Sequence, residues 1–247
     1  MSKRKVGELI LDYSVYPRSE IDHQHLGYIK EAIVAGQVMP PIVAEAKTHR
    51  IVDGFHRTWA LIALYGYDYM TEVVERVYKS DADFFADAMR YNACHGTSLT
   101  THDRVHCLLI CERLKMSMDQ AASSLSMTVA KLTNLQAHRI GKMTVARIPV
   151  AGNGKTVKTA NGVTSSGHTE SIALKRTISH MAGQTLTPAQ AEANDHLSGM
   201  TQLFYVNQLL LLVEHDLLDR SNQPLMQALA KLGELIQRLG IRPPVSQ

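Results

Sequence analysis

Apolar residues in the first eighty positions come in short runs, and their spacing switches between the period of a strand and that of a helix. Leu9-Ile10-Leu11 predicts a strand ended at Asp12, with Tyr16-Pro17-Arg18 breaking the run. Leu26, Ile29 and Ile33 recur at helical spacing, and Gly36 stands where a helix C-cap falls. Pro40-Pro41 gives an extended entry into a second strand, Ile42-Val43-Ala44, and Thr48-His49-Arg50 turns into a third, Ile51-Val52. A helix over 57–65 is stopped by Gly66, and Thr71–Val77 reads as a fourth strand. The order β-α-β-β-α-β predicts a small α/β unit.

From Asp81 onward the strand pattern gives way to helices: Ala82–Asn92, Thr101–Leu114 with Thr101 as its N-cap, and a pair within 118–139. Residues 151–168 are rich in Gly, Ser, Thr and Asn, the composition of a linker or loop. Helical spacing returns over Ser171–Met181, Pro188–Gly199, Gln202–Leu218 and Leu225–Leu239. The expected fold class is α+β. It divides into an α/β domain (1–80), a helical domain (81–150), the linker (151–168) and a C-terminal helical region (169–247).

Composition narrows the class. With 45% hydrophobic and 20% charged residues the chain is globular, not disordered. Its strongest apolar stretch, Leu203–Val213, is interrupted by Asn207 and Gln208 and is too short to span a bilayer. The N-terminus leads into no signal-type apolar core, so the expected location is cytoplasmic, with no membrane partner. Cys94, Cys107 and Cys111 form no disulfide framework. Cys107 and Cys111 stand four apart near His102 and His106; without paired CxxC spacing they read as buried thiols rather than a zinc site. The net charge of +3 hides an asymmetry: residues 102–180 hold 11 Lys+Arg against 4 Asp+Glu. That middle third is the part expected to attract a polyanion.

Two stretches carry candidate chemistry. Ile51-Val52-Asp53-Gly54-Phe55-His56-Arg57 is a strand, a glycine turn and a basic helix start. Outward-pointing amides and an Arg fork suit phosphate oxygens. The plainer reading pairs Arg57 with Asp53 or another carboxylate. The second stretch, Asp119–Asn134, has the pattern of a DNA-binding helix-turn-helix: Ala122 is the small contact residue, Leu125, Leu132 and Leu135 face inward, and Ser126 occupies the turn, where glycine is usual. Its second helix would present Thr128, Val129, Lys131, Thr133 and Asn134 to double-stranded DNA. Two helices packing without DNA is the alternative.

Together these stretches resemble the ParB/sulfiredoxin superfamily, in particular ParB-like partition proteins and regulators of phage and plasmid type, from about Leu9 to Leu135. Gly54-Phe55-His56-Arg57 matches the family's Gly-x-Arg-Arg turn in its Gly-x-His-Arg version. Tyr16-Pro17-Arg18 is similar to its Gln-Pro-Arg element, and Gly36–Ile42 to its Gly-x-x-x-Pro-Ile stretch on the base side of the pocket. Asn92 and His95 fall at its Asn-containing box. The resemblance implies an N-terminal domain that binds a nucleotide, CTP or another, with magnesium. The nucleotide residues would be Arg18, Gly54, Phe55, His56, Arg57, Asn92 and His95, with Asn92 toward the metal. It also leaves open an enzyme in the same pocket: an NTPase acting on CTP, a metal-dependent nuclease or a phosphotransferase. Glu20, Asp22 and Glu31 resemble acidic residues that some members use, and nothing in the chain assigns them a catalytic role. The apolar series Leu203, Phe204, Leu210, Leu211, Leu217, Leu218 and Leu229–Leu239 predicts either a helical bundle or the seam of a homodimer.

Overall fold

The computed structural model of the protein describes residues 2–94, 98–145 and 168–240. Its N-terminal sheet contains β1 (Ser2–Lys5), β2 (Ile42–Glu45), β3 (Ile51–Asp53) and β4 (Met70–Arg76), in the order β1-β4-β2-β3. Strands β2 and β4 run parallel, and the other two pairings are antiparallel. Helices α1 (His23–Val34) and α2 (Phe55–Tyr65) complete the expected β-α-β-β-α-β order.

The first strand is not where the hydropathy put it. Leu9 packs in the core at the end of a 3-10 turn, and Ile10 makes only an isolated bridge to Arg50. The edge strand is instead Ser-Lys-Arg-Lys, held by backbone pairing to β4 and by Arg4–Glu75 and Lys5–Asp68 ion pairs at 2.5 and 2.8 Å. A charged edge strand carries no apolar alternation, and it protects the sheet from further pairing.

Alternation along β2 and β3 decides how the molecule packs. Ile42, Ala44 and Ile51 face a cluster with Val6, Leu9, Phe55 and Val73. Val43 and Val52 face the opposite way, into a cluster with Phe84, Phe85 and Met89 of α3 (Asp81–Cys94). That cluster continues through Cys107, Leu108 and Cys111 of α4 (Thr101–Arg113) to Ala121 and Ala122 of α5 (Met118–Ser124) and Leu132 of α6 (Val129–Arg139). Residues 1–80 and 81–150, expected as two domains, therefore share a core. Cys107 and Cys111 are buried thiols within it, with Cys107 donating to Pro17 O.

The expected all-helical second half needs correction. A three-stranded sheet, β6-β5-β7, joins β5 (Ile140–Val145), β6 (His168–Ala173) and β7 (Thr185–Leu186). The helix expected over Ser171–Met181 is instead the end of β6 followed by a 3-10 segment, Arg176–Met181. β6 is mostly polar, and its partner β5 lies more than twenty positions away, so tertiary pairing overrides the local pattern. The stretch expected to be a linker lies outside the described residues except for His168, where β6 begins. After α7 (Pro188–His196) the chain divides: Met1–Gly199 is one compact unit and Met200–Gln247 a second. The second unit contains α8 (Gln202–Glu214) and α9 (Gln223–Arg238), and neither buries a residue. Among the described residues no helix is long and apolar enough to cross a membrane.

Candidate functional site

β3 ends at Asp53 and α2 begins at Phe55, with Gly54 between them at φ +112°. A Cβ at this position would stand 3.1 Å from Arg57 Nη2 and 3.2 Å from Ile42 Cγ1, so conformation and space both call for glycine. The turn opens on a small cleft of about 100 Å³. Six of the seven sequence-predicted nucleotide residues line it: Arg18, Gly54, Phe55, His56, Arg57 and Asn92. The seventh, His95, lies outside the described residues.

Arg57 satisfies the plainer reading and leaves something over. Its Nη2 donates to Asp53 Oδ2 at 2.8 Å and, more weakly, to Pro41 O at 3.5 Å. Its Nε is buried with no hydrogen-bond partner among the described residues. Arg57 also lines a second cleft of about 320 Å³ together with Gln37, Val38, Met39, Pro40 and Pro41. One guanidinium therefore borders both the glycine turn and the Gln37–Pro41 stretch.

His56 Nε2 accepts a hydrogen bond from Asp22 N at 3.2 Å, so the ring carries its proton on Nδ1. Burial, then the neighbouring His25 and Arg18, pull its pKa down to about 4, against a smaller opposing effect of Asp22. It enters the cleft as a neutral ring. Asn92 donates through Nδ2 to Ala88 O at 2.9 Å, which leaves its amide oxygen as the ligand-capable atom. Tyr16 was not among the predicted site residues. Its ring stacks on Phe55 at 4.2 Å, and its hydroxyl is buried at the cleft without a hydrogen-bond partner among the described residues. Burial raises its pKa, so it stays protonated and able to donate.

The loop carrying Tyr16 and Arg18 is held by α4. Asp103 Oδ1 accepts from Ser19 N and Oγ, both at 3.0 Å, while Oδ2 accepts from Thr100 N and Oγ1 at 2.9 and 2.8 Å. Burial opposes ionisation of Asp103, but these donors outweigh it and lower its pKa. Thr100, not Thr101, is the N-cap, and with Asp103 it forms a capping box.

In the pair α5–α6, Ala122, Leu125 and Leu132 are buried as expected, and Leu135 is partly so. Ser126 adopts φ +53° in the turn, the left-handed conformation that glycine takes most easily. Thr128, Val129, Lys131, Thr133 and Asn134 are all exposed. Thr128 is the N-cap of α6, and its hydroxyl accepts from Lys131 N at 3.3 Å.

No family model matches the chain. Over 100 residues, 40% of its length, it is 37% identical to the transcriptional regulator NovG of Streptomyces niveus. It spans 30% of that relative. Among solved structures it resembles the C-terminally truncated chromosome-partitioning protein ParB from Caulobacter crescentus complexed to the centromeric parS site (TM-score 0.39, 13% identity, 55% of this chain and 70% of that one). It also resembles the same truncated protein complexed with CTP-gamma-S (TM-score 0.32, 15% identity, 54% and 75%) and a Pnob8-like ParB-N domain (TM-score 0.37, 10% identity, 56% and 52%). The chain is thus similar to ParB partition proteins among solved structures and to a transcriptional regulator among curated proteins.

Proposed function

We propose that this protein is a nucleotide-responsive, ParB-like DNA-binding regulator. The observation that carries the nucleotide half is the convergence of Arg18, the Gly54–Arg57 turn and Asn92, drawn from three separate parts of the chain, on one cleft. Arg57 borders both clefts, which in this reading take the phosphates and the base. Two buried donors there, Arg57 Nε and the Tyr16 hydroxyl, lack partners among the described residues, and an anionic ligand would satisfy them. In this reading the nucleotide is CTP. Magnesium would neutralise phosphate charge, with Asn92 the residue placed toward it; a cation held mainly by phosphate oxygens needs few protein ligands.

The DNA half rests on α5 and α6 as a helix-turn-helix. The exposed row Thr128, Val129, Lys131, Thr133 and Asn134 is free of core duties, and the Lys+Arg excess of residues 102–180 supplies attraction to phosphates. For α8 and α9 the reading is a dimer seam. Leu203, Val206 and Leu210 on α8, and Leu232, Leu235 and Ile236 on α9, are exposed within their own unit, and a two-fold partner would cover them.

Calorimetry with CTP, ATP, GTP and UTP, each with and without magnesium and duplex DNA, tests the proposal. One nucleotide preferred by tenfold or more supports it. No heat with any of the four ends the nucleotide half. No duplex binding at low salt under any condition ends the DNA half.

A further inference from the structure

A second hollow in the first unit is larger than the Gly54 cleft. It has a volume of about 580 Å³ and lies where the 18–23 loop, the start of α4, the end of α6 and the turn after β6 meet. Arg18, Arg139, Lys175 and Arg176 line it, and so does His102. Arg139 and Arg176 have no carboxylate partner among the described residues, and burial, then the charge of Arg176, lower the pKa of Arg139. Lys175 is almost wholly buried, with its backbone N–H donating to Asn194 Oδ1 at 2.8 Å. Its ammonium has only a 3.7 Å contact to Glu20, whose side chain is 75% exposed. His102 Nδ1 is buried without a hydrogen-bond partner among the described residues.

Three carboxylates, Glu20, Asp22 and Asp103, also line the hollow, against four cations. Both oxygens of Asp103 are taken by Ser19 and Thr100, and Asp22 caps α1 by accepting from His25 N. Glu20 alone is loosely engaged. Cations gathered around a concave space repel one another until an anion arrives, and guanidinium forks favour phosphate oxygens.

We propose that this hollow is a second anion site, taking a small phosphorylated molecule of pyrophosphate or polyphosphate type, gripped by Arg139, Lys175 and Arg176. The cations come from separate segments around one hollow rather than along one outer face, and the volume matches a small ligand. Both features favour a free molecule over the backbone of a duplex. Arg139 ends α6 and Arg176 follows β6, so the site depends on the second sheet, and it shares only Arg18 with the lining of the Gly54 cleft.

The probe is sodium pyrophosphate, titrated calorimetrically at low ionic strength into the full chain and into its Arg57→Ala, Arg176→Gln and doubly substituted variants. Arg57→Ala removes the contribution of the first cleft, so binding that persists in it reports on the second. Adding Arg176→Gln should weaken that binding about tenfold, the loss of one charged hydrogen-bonding partner. Arg176 is exposed, so its replacement leaves the fold intact, and Arg139→Gln should repeat the effect. Pyrophosphate affinity that is absent from Arg57→Ala, or unchanged by adding Arg176→Gln, overturns the proposal. So does a variant that loses duplex affinity while keeping pyrophosphate, since the hollow would then be part of a DNA track. Failure of the nucleotide reading is seen separately, as CTP affinity unchanged by Arg57→Ala alone.

Discussion

His56 offers a direct physical test of the cleft. Protonating its Nε2 would set an N–H against the Asp22 N–H that it now accepts, in a half-buried space beside His25 and Arg18. Burial, then His25 and Arg18, draw its pKa from 6.5 to about 4. The unfolded chain takes up this proton first, so the contribution to stability is complete above pH 6.5 and is lost as pH falls toward 4. Each pKa unit is ~1.4 kcal/mol, but solvent screening of a half-buried ring reduces the total to roughly 1–2 kcal/mol. Urea unfolding between pH 8 and pH 4 should show wild type losing that much more than His56→Gln, whose amide oxygen can still accept from Asp22. NMR titration of the imidazole should give the low pKa directly. A bound phosphate would raise it, so nucleotide affinity should strengthen as pH falls below neutrality. An imidazole pKa at or above 6 in the free protein, or the same stability slope in His56→Gln, would refute the reasoning.

Arg57→Ala should weaken nucleotide binding by ~2–4 kcal/mol in calorimetry, and loss of the partly exposed Asp53 pair should lower stability by only about 0.5–1 kcal/mol. Gly54→Ala should destabilise by about 1–3 kcal/mol in thermal unfolding, because its Cβ enters a positive-φ backbone pressed against Ile42 and Arg57. Ser126→Gly should instead stabilise by roughly 0.5–1 kcal/mol in chemical denaturation, since it relieves a left-handed serine. In salt titrations of duplex binding, Lys131→Ala should reduce the salt slope by about one, while Asn134→Ala should flatten the preference between sites; identical slopes and preferences would remove both residues from the interface.

The parts of the fold legible in the sequence are those where local pattern and tertiary need agree. Ile42, Val43, Ile51 and Val52 are apolar because both faces of their sheet are buried, so they stand out as strands. Ala122, Leu125 and Leu132 mark the turn between two helices for the same reason. β1 and β6 did not stand out, because backbone pairing to distant strands holds them while their side chains stay polar. Within the candidate site, the Gly54–Arg57 turn was legible because a glycine and two basic residues have a chemical logic on their own. The role of Tyr16 was not, since it depends on a stacking partner thirty-nine positions away. The capping box Thr100-x-x-Asp103 was missed in favour of Thr101 as the N-cap, and so was its second use in holding Ser19.

That second use bears on how the two halves of the first unit are joined. Asp103, His106, Cys107 and Arg113 fall at spacings that keep them on one side of α4. All four reach the loop 14–19: Asp103 to Ser19, His106 Nε2 to Tyr16 O at 3.2 Å, Cys107 Sγ to Pro17 O at 3.1 Å, and Arg113 to Ser14 O. Three of these contacts are to backbone carbonyls, so they fix the path of the loop whatever its side chains do. The loop places Arg18 and Tyr16 at the Gly54 cleft, while Cys107, Leu108 and Cys111 of the same helix share a core with Leu132 of α6. In the proposed reading, a shift of Arg18 toward a ligand would strain a loop tied to α4, and α4 packs in the core shared with α6. Side-chain contacts alone could relax around such a shift; hydrogen bonds to the loop backbone would carry it to α4.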